Sequence, residues 1–390
     1  MEVGIDALPL IGRGGISRHL QDLLPALAAQ GPGDQYHLYA RVFRAEPRRR
    51  YREVAHMYTA TNLCWHSIPI PDRVLEFAWT RHDFTVPGTH RYLHRLDVFL
   101  ATGGLAPAGA PCPIVGVVHD LVPLRFPNWF SAEARTIRLR LERLVARSSL
   151  LIAVSESTRR DLGELLGVVA EKKVRVVHHG IHSRFAPPPP ERIRTVLGAR
   201  GITGPFFLYV GTLGPVKNVG TLLTSFRAFR ERTRAPHALL LASDLRWAGT
   251  LPSDADKLGL GEAVYFLGFV QDEELPALYA GATALVLPSW HESFGFPALE
   301  AMACGTPVLA SAVGALPDVL GDAPIFFPPD APLELAEQMA RVASDERLRK
   351  DLRARGRARA ATFTWERTAE QTLEVLREAR ERGPLENSHA

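Results

Sequence analysis

The chain is expected to fold as an α/β protein built from two halves, each with its own parallel sheet. Three observations carry this. Short apolar runs alternate with amphipathic stretches, the alternation stops at the proline run Ala186 to Pro190, and it then restarts. A length of 390 residues exceeds a usual single core. Apolar residues at 46% and charged residues at 23% describe a folded globular chain, so a loose segment is expected only at the tail, Arg382 to Ala390.

In the first half the apolar runs are VGID (Val3 to Asp6), YHLYA (Tyr36 to Ala40), DVFLA (Asp97 to Ala101), IVGVVH (Ile114 to His119), LLIAVS (Leu150 to Ser155) and VRVVH (Val174 to His178). After the first of them, GRGGISRHLQDLL (Gly12 to Leu24) opens a helix with apolar residues at Leu20, Leu23, Leu24 and Leu27. Glycine there lets a phosphate approach the backbone at a helix start, although a plain flexible turn explains the same letters. The full dinucleotide fingerprint is absent, which weakens a redox reading. His119 and Asp120 stand at the end of an apolar run, where an imidazole with an ordinary pKa near 6.5 suits sugar binding or proton transfer, although a structural histidine is the simpler account of the motif alone. Asp120 is expected to orient it. Ser155 reads as the cap of the helix after it.

The prolines at 187–190 cannot join either sheet and read as a stiff linker, placing one domain at 1–186 and the second at 191–363. The second set of runs is FFLYVG (Phe206 to Gly211), ALLLAS (Ala238 to Ser243), VYFLG (Val264 to Gly268), ALVLP (Ala284 to Pro288), PVLAS (Pro307 to Ser311) and IFF (Ile325 to Phe327). Beyond Pro332 the chain is helical and strongly charged. The most informative stretch is PSWHESFGFPALEAMACGTP, Pro288 to Pro307. Pro297 suits the first turn of a helix, and Gly305 with Pro307 suits its stop, so a helix is predicted from near Phe296 to near Cys304. The amides of Phe294, Gly295 and Phe296 would then face outward at the positive end of the helix, a place for a diphosphate. Glu292 in the loop and Glu300 in the first turn flank that place. Two carboxylates beside a diphosphate make sense as acceptors for sugar hydroxyls.

Several function classes are excluded or weakened. Cys64, Cys112 and Cys304 are few, odd in number and scattered, which argues against a disulfide framework or a zinc site and suits a reducing compartment. The start, MEVGIDALPL, lacks a basic segment before an apolar core, and no run reaches the ~18 apolar residues of a membrane span, so a cytoplasmic place, at most peripheral to a membrane, is expected. The net charge of +4 includes a cluster at Arg41, Arg44, Arg48, Arg49, Arg50 and Arg52. Such a cluster suits anionic lipid or a lipid-linked diphosphate, with a solvated loop as the simpler account. Nucleic acid is disfavoured because no basic platform interleaved with aromatics is present. Asp254 and Asp256 have the spacing of a metal-binding pair but lie in a polar connection, and His178-His179 has no further ligand at zinc spacing, so no metal is expected at either.

Taken together, Glu292 and Glu300 with FGFP and ALEAMACGTPV between and after them resemble the Glu-x7-Glu signature of the family 4 retaining glycosyltransferases. The resemblance extends from the first apolar run to the last helix. It implies a GT-B fold: two Rossmann-like domains with parallel sheets facing across a cleft, and a C-terminal helix, 364–382, crossing back to the N-terminal domain. It implies that Glu300 holds the nucleotide ribose, that Glu292 lies against the transferred hexose, and that Ser293 to Phe296 face the donor phosphates. It implicates Gly14, Gly15 and Arg18 in the first glycine loop, and His119 as an active-site residue. YVGTLGPVKNVGTLLTSF (Tyr209 to Phe226) resembles the family's basic loop, with Gly211 at the turn and Lys217 as the cation for the leaving diphosphate. The arginine common in that loop is replaced by Thr212 or Val216, so Arg18 or another basic residue substitutes, or turnover is weak. FLGFVQDEELPALYAGA (Phe266 to Ala282) resembles the segment whose main chain, near Phe269 and Val270, reads the base.

The activity this resemblance implies is transfer of a hexosyl unit with retained configuration, without metal or cofactor, from a nucleotide-diphosphate sugar to a glycan or lipid-linked hydroxyl acceptor. The GTLxPxKN form of the loop is similar to that of bacterial polysaccharide mannosyltransferases, which makes GDP-mannose the first expectation for the donor and a UDP-sugar the second. A non-catalytic relative that binds a nucleotide sugar or a partner enzyme, and a nucleotide-sugar 2-epimerase, are the competing readings.

Overall fold

The computed structural model describes residues 1–385 except 13, 83, 87, 88 and 169. The last part of the expected loose tail, 386–390, lies outside the described residues. The chain divides into two compact units, the first Met1–Gly180 joined by the chain from Thr364 onward, the second Ile181–Phe363.

Unit 1 holds seven strands: β1 (Glu2–Asp6), β2 (Gln35–Arg41), β3 (Leu63–Ile68), β4 (Val98–Ala101), β5 (Ile114–Val118), β6 (Leu150–Ala153) and β7 (Val174–Val176). Their order is β3-β2-β1-β4-β5-β6-β7, with every pairing parallel. Strands β4, β5 and β6 are buried along their whole length, as expected where helices cover both faces. One strand, β3, is absent from the expected set. Its residues Cys64, Trp65 and His66 are only half-buried and show no apolar alternation, because it is an edge strand paired with β2 alone.

The final helix, Trp365–Arg382, belongs to unit 1, packing along the helix Gly15–Gln30 and over β4, β5 and β6. Its buried stripe is Trp365, Ala369, Leu373, Leu376 and Ala379. The Thr364 side chain caps its first turn by accepting from the Arg367 amide, and the Thr368 hydroxyl donates to the His178 carbonyl at 2.8 Å. Arg175 and Glu378 add an ion pair. Gly180 is obligatory at this junction: a Cβ there would lie 2.4 Å from the Trp365 amide nitrogen.

Unit 2 holds β8 (Phe206–Val210), β9 (Ala238–Ala242), β10 (Val264–Gly268), β11 (Ala284–Leu287), β12 (Val308–Ser311) and β13 (Ile325–Phe327), ordered β10-β9-β8-β11-β12-β13 and parallel throughout. Each expected run is a strand. The order reverses at β8 and β11, the place where open α/β sheets bind ligands.

The expected boundary at 186 differs from the observed division at Gly180/Ile181. Phe185 is buried in the unit 2 core, its ring 6.1 Å from that of Tyr279, and Pro187 lies against Gly305. Pro190 opens the helix Pro190–Ala199. The proline run thus falls within unit 2, just after the observed division, with Pro187 and Pro189 exposed and in no strand. Among the described residues no helix is long and apolar enough to cross a membrane.

Candidate active site

In unit 2 the loops leaving β8 and β11 meet at their carboxyl ends. The loop after β8 turns at Gly211, whose φ of +151° suits glycine, and carries Lys217 in a single 3-10 turn. The Trp290 amide donates to the Val216 carbonyl at 2.8 Å, tying this loop to the one after β11. Asn218, in the left-handed region, donates to the Pro288 and Pro329 carbonyls and so braces both. Lys217 Nζ then reaches Glu292 Oε1 at 2.8 Å. Ser289 Oγ donates to the same oxygen at 2.7 Å, and Ser311 Oγ holds the Ser289 carbonyl from β12. A carboxylate with a paired cation and a hydroxyl donor is fixed in orientation. Burial, with the nearby Glu292 charge, pushes the Tyr209 phenol well above its ordinary pKa, and its hydroxyl donates to the Thr212 carbonyl.

The helix expected near Phe296 spans Phe296–Ala303, preceded by Gly295 at φ +99°. Among the described residues no side chain caps its start. Ser293 is half-buried, while the Phe294 ring turns into the core against Phe296 and Phe363, so that segment offers main chain rather than side chain to a ligand. Glu300 is the fifth helical residue, beyond the first turn where it was expected, and only 2% exposed. The hydroxyl of Tyr279 donates to its Oε2 at 2.8 Å, so the carboxylate sits against the helix Leu275–Gly281. Beneath Glu292 runs the turn after β12: the Ala315 amide donates to the Glu292 carbonyl at 2.8 Å, and Gly314 lies flat against the same peptide. Phe269 is exposed and Val270 buried just past β10, where Gly268 takes a φ of +71° and the ladder shifts register.

In unit 1, Gly14 (φ +104°) and Gly15 open the helix Gly15–Gln30, both with open space where a Cβ would stand, and Arg18 is half-buried in its first turn. His119 lies just past β5. Its Nε2 donates to the Thr102 carbonyl at 3.2 Å, and Asp120 accepts from the Val122 amide at 2.6 Å.

His119 is joined by His19 and His179. Ring centroids stand 4.8 Å apart for His19 and His119, 4.6 Å for His19 and His179, and 5.6 Å for His119 and His179. Enclosure of the ring pushes the His119 imidazole down to about 4, and burial holds His19 and His179 well below the ordinary range, so all three are uncharged at neutral pH. Spacing along the sequence assigns His179 a structural role, for want of a ligand at zinc separation. Its neighbours come from elements 60 and 160 residues away, which no local spacing reveals. Asp254 pairs with Thr250 and Lys257 around the helix Leu251–Lys257. Ser155 Oγ accepts from the Thr158 amide as the expected cap.

The arginine cluster loses one member. Arg41 is buried, ion-paired to Asp6 at 3.0 Å and Asp72 at 2.7 Å, because β2 carries it to the carboxyl edge of the sheet. Arg44, Arg49, Arg50 and Arg52 remain exposed on or beside the helix Ala45–Ala55.

Residues 13–185 match the model described as Glycosyltransferase Family 4, and residues 199–359 match Glycosyl transferases group 1. The chain is 30% identical over 299 residues to the O-antigen chain mannosyltransferase B of Escherichia coli, covering 76% of this chain and 74% of that relative. It is 31% identical over 303 residues to the D-inositol 3-phosphate glycosyltransferase of Salinispora arenicola strain CNS-205, covering 71% and 66%. Among solved structures, Anabaena HepE in complex with UDP and glucose superposes with a TM-score of 0.74 at 19% identity, over 96% of this chain and 99% of that one.

Proposed function

Because the chain belongs to the family 4 glycosyltransferases of the GT-B fold, we propose that it moves a hexosyl unit, mannose first among the choices, from a nucleotide-diphosphate sugar to a hydroxyl of a glycan or lipid-linked acceptor, with retained configuration. One observation carries the reading. Where the strand order of unit 2 reverses, Lys217 is paired with Glu292 in the loop that leads into a helix without a side-chain cap among the described residues, and that helix carries Glu300.

Each part has a task in such a transfer. The amides from Ser293 to Phe296 and the Lys217 ammonium take the two phosphates. Glu300 accepts from the ribose hydroxyls, and the main chain at Phe269 and Val270 faces the base. Glu292, clamped through Oε1, presents its other oxygen to hexose hydroxyls. The bond from the anomeric carbon to the phosphate oxygen breaks, the acceptor oxygen bonds to that carbon on the same face, and the acceptor proton passes to the departing phosphate. No metal is needed in this scheme, because Lys217 supplies the charge. In unit 1, His119 contacts the hexose, and Gly14, Gly15 and Arg18 face the donor phosphates.

The mannosyltransferase relative supports GDP-mannose and a role in surface polysaccharide synthesis, and the UDP and glucose in HepE keep a UDP-sugar as the second donor. The inositol phosphate relative brings in a small phosphorylated acceptor as another choice. We place the enzyme in the cytoplasm, with the exposed arginines beside Phe43 and Met57 as a peripheral contact for anionic lipid.

Thr212 and Val216 favour a second reading, a donor-binding protein without turnover, since Val216 is buried and no arginine occupies either position. A thermal-shift panel of GDP, UDP, dTDP and ADP tests donor binding, with one clear stabiliser expected and its effect lost in Glu300→Ala. Release of free nucleoside diphosphate from the matching sugar nucleotide then separates an enzyme from a binding protein. An epimerised sugar nucleotide as the product overturns transfer, and no stabilising nucleotide overturns the reading altogether.

A further inference from the structure

Three imidazoles from distant segments converge in unit 1, on the first long helix (His19), just past β5 (His119) and past β7 (His179). One ligand nitrogen from each lies within 4.8 Å of the other two. Two hydrogen bonds define which nitrogens are available. A carbonyl only accepts, so His119 Nε2, held on Thr102 O, carries the proton of that ring and Nδ1 keeps its lone pair. Anchoring the far N–H on a backbone carbonyl is how metal-binding histidines are held. His19 Nδ1 and His179 Nδ1 face each other at 2.9 Å, sharing a proton that a cation would displace. His19 is 4% exposed, and its Nε2 has no hydrogen-bond partner among the described residues.

We propose that His19, His119 and His179 form a binding site for a borderline transition-metal dication, of which zinc is the type, through one ring nitrogen each. Tetrahedral bonds of about 2.0–2.1 Å put ligand nitrogens roughly 3.3 Å apart. The His19 and His179 pair therefore opens by a few tenths of an ångström, and the widest pair closes by about 1.5 Å, within the reach of ring rotation. An all-imidazole set without carboxylate selects Zn²⁺, Co²⁺, Ni²⁺ or Cu²⁺ over Mg²⁺ and Ca²⁺. His119 keeps part of its surface exposed, which gives the ion a way in and the fourth position a water.

A consequence rests on the proposed transfer: an ion here engages His119, so it inhibits turnover and a chelator restores it. Binding itself needs no sugar nucleotide. Trp365, with ring centroids 5.7 Å from His19 and 6.1 Å from His179, provides a reporter.

The test uses the 390-residue chain without a histidine tag, stripped with chelator and titrated with CoCl2 and, separately, ZnCl2. The expected result is one ion per chain by equilibrium dialysis, visible absorption of four-coordinate Co²⁺, and quenching of tryptophan fluorescence by Co²⁺. Affinity falls at least a hundredfold in His179→Ala and in His119→Ala; the second keeps the assay decisive if the first fails to fold. Less than one ion bound at tenfold molar excess, or stoichiometric binding undiminished in a folded His119→Ala variant, overturns the site. If dialysis succeeds while chelation leaves turnover unchanged, the site stands and only the place of His119 in transfer falls.

Discussion

Replacing Gly314 with alanine strikes Glu292 without touching its side chain. Gly314 has a φ of +55°, and a Cβ there would lie 2.4 Å from the Glu292 carbonyl oxygen and 2.9 Å from its amide nitrogen. Both are backbone atoms, so no rotamer change relieves the overlap. Reaching even 3.0 Å, the floor for real contacts, takes a shift of 0.6 Å in the Glu292 peptide. That peptide is held by the Ala315 amide at 2.8 Å, and its side chain by Lys217 and Ser289. Alanine in the left-handed region costs roughly 1–2 kcal/mol and the overpacking about 1–3 more. A loss of about 2–5 kcal/mol lowers Tm by roughly 4–20 °C for a unit of this size. A carboxylate displaced by most of an ångström lowers kcat/KM by about tenfold to a hundredfold. The assay pairs thermal unfolding with nucleoside diphosphate release, and Gly220→Ala is the control: Gly220 lies inside the helix Val219–Thr233 with open space at its Cβ, so alanine there is neutral or stabilising. A Gly314→Ala protein with unchanged Tm and turnover would show that the peptide of Glu292 is not pinned by that turn, and the positioning account of the carboxylate would fall.

Lys217→Ala removes the charge that the proposed transfer sets against the leaving group, and turnover is expected to drop by about 10²–10³ with nucleotide affinity falling far less; equal losses in both would reassign Lys217 to plain binding. Tyr279→Phe leaves Glu300 Oε2 without its 2.8 Å donor, so nucleotide affinity measured calorimetrically should weaken about tenfold while Glu300→Ala abolishes it. Burial pushes the Cys112 and Cys304 thiols up to about 12, so at pH 8 only about one in 10⁴ is thiolate; native alkylation followed by mass spectrometry should label neither, and rapid labelling of Cys304 would mean the helix Phe296–Ala303 opens. Charge reversal at Arg49 and Arg50 should release the protein from anionic vesicles in a sedimentation assay and leave turnover on a soluble acceptor unchanged; undiminished sedimentation would remove that helix as the contact.

How far the sequence led depended on whether the decisive contact was local. Unbroken apolar runs such as ALVL announce buried strands because a parallel sheet covered on both faces tolerates nothing else, and β8 to β13 were legible for that reason. In contrast, LCWHSI hides β3, since an edge strand packs on one side only and its His66 and Trp65 satisfy neither a strict alternation nor a run. The Glu292 to Glu300 segment was legible because a glycine, a proline and a second glycine define a helix start and stop within a few residues. Its second layer was not: Tyr279 comes from the preceding helix and Gly314 from the turn after the next strand, and neither stands out by residue type from the other tyrosines and glycines of the chain. The proline run is offset from the observed division for the same reason, its stiffness being local and the burial of Phe185 tertiary. The three histidines are the extreme case, since the parallel sheet sets His119 and His179 at the ends of β5 and β7 and the covering helix sets His19 over both. Strand order, not residue spacing, brings them together. In a parallel α/β unit the groups that act together are those at neighbouring strand ends, so a search for constellations in such a sequence gains more from pairing the residues just past each strand than from scanning for ligands a few positions apart.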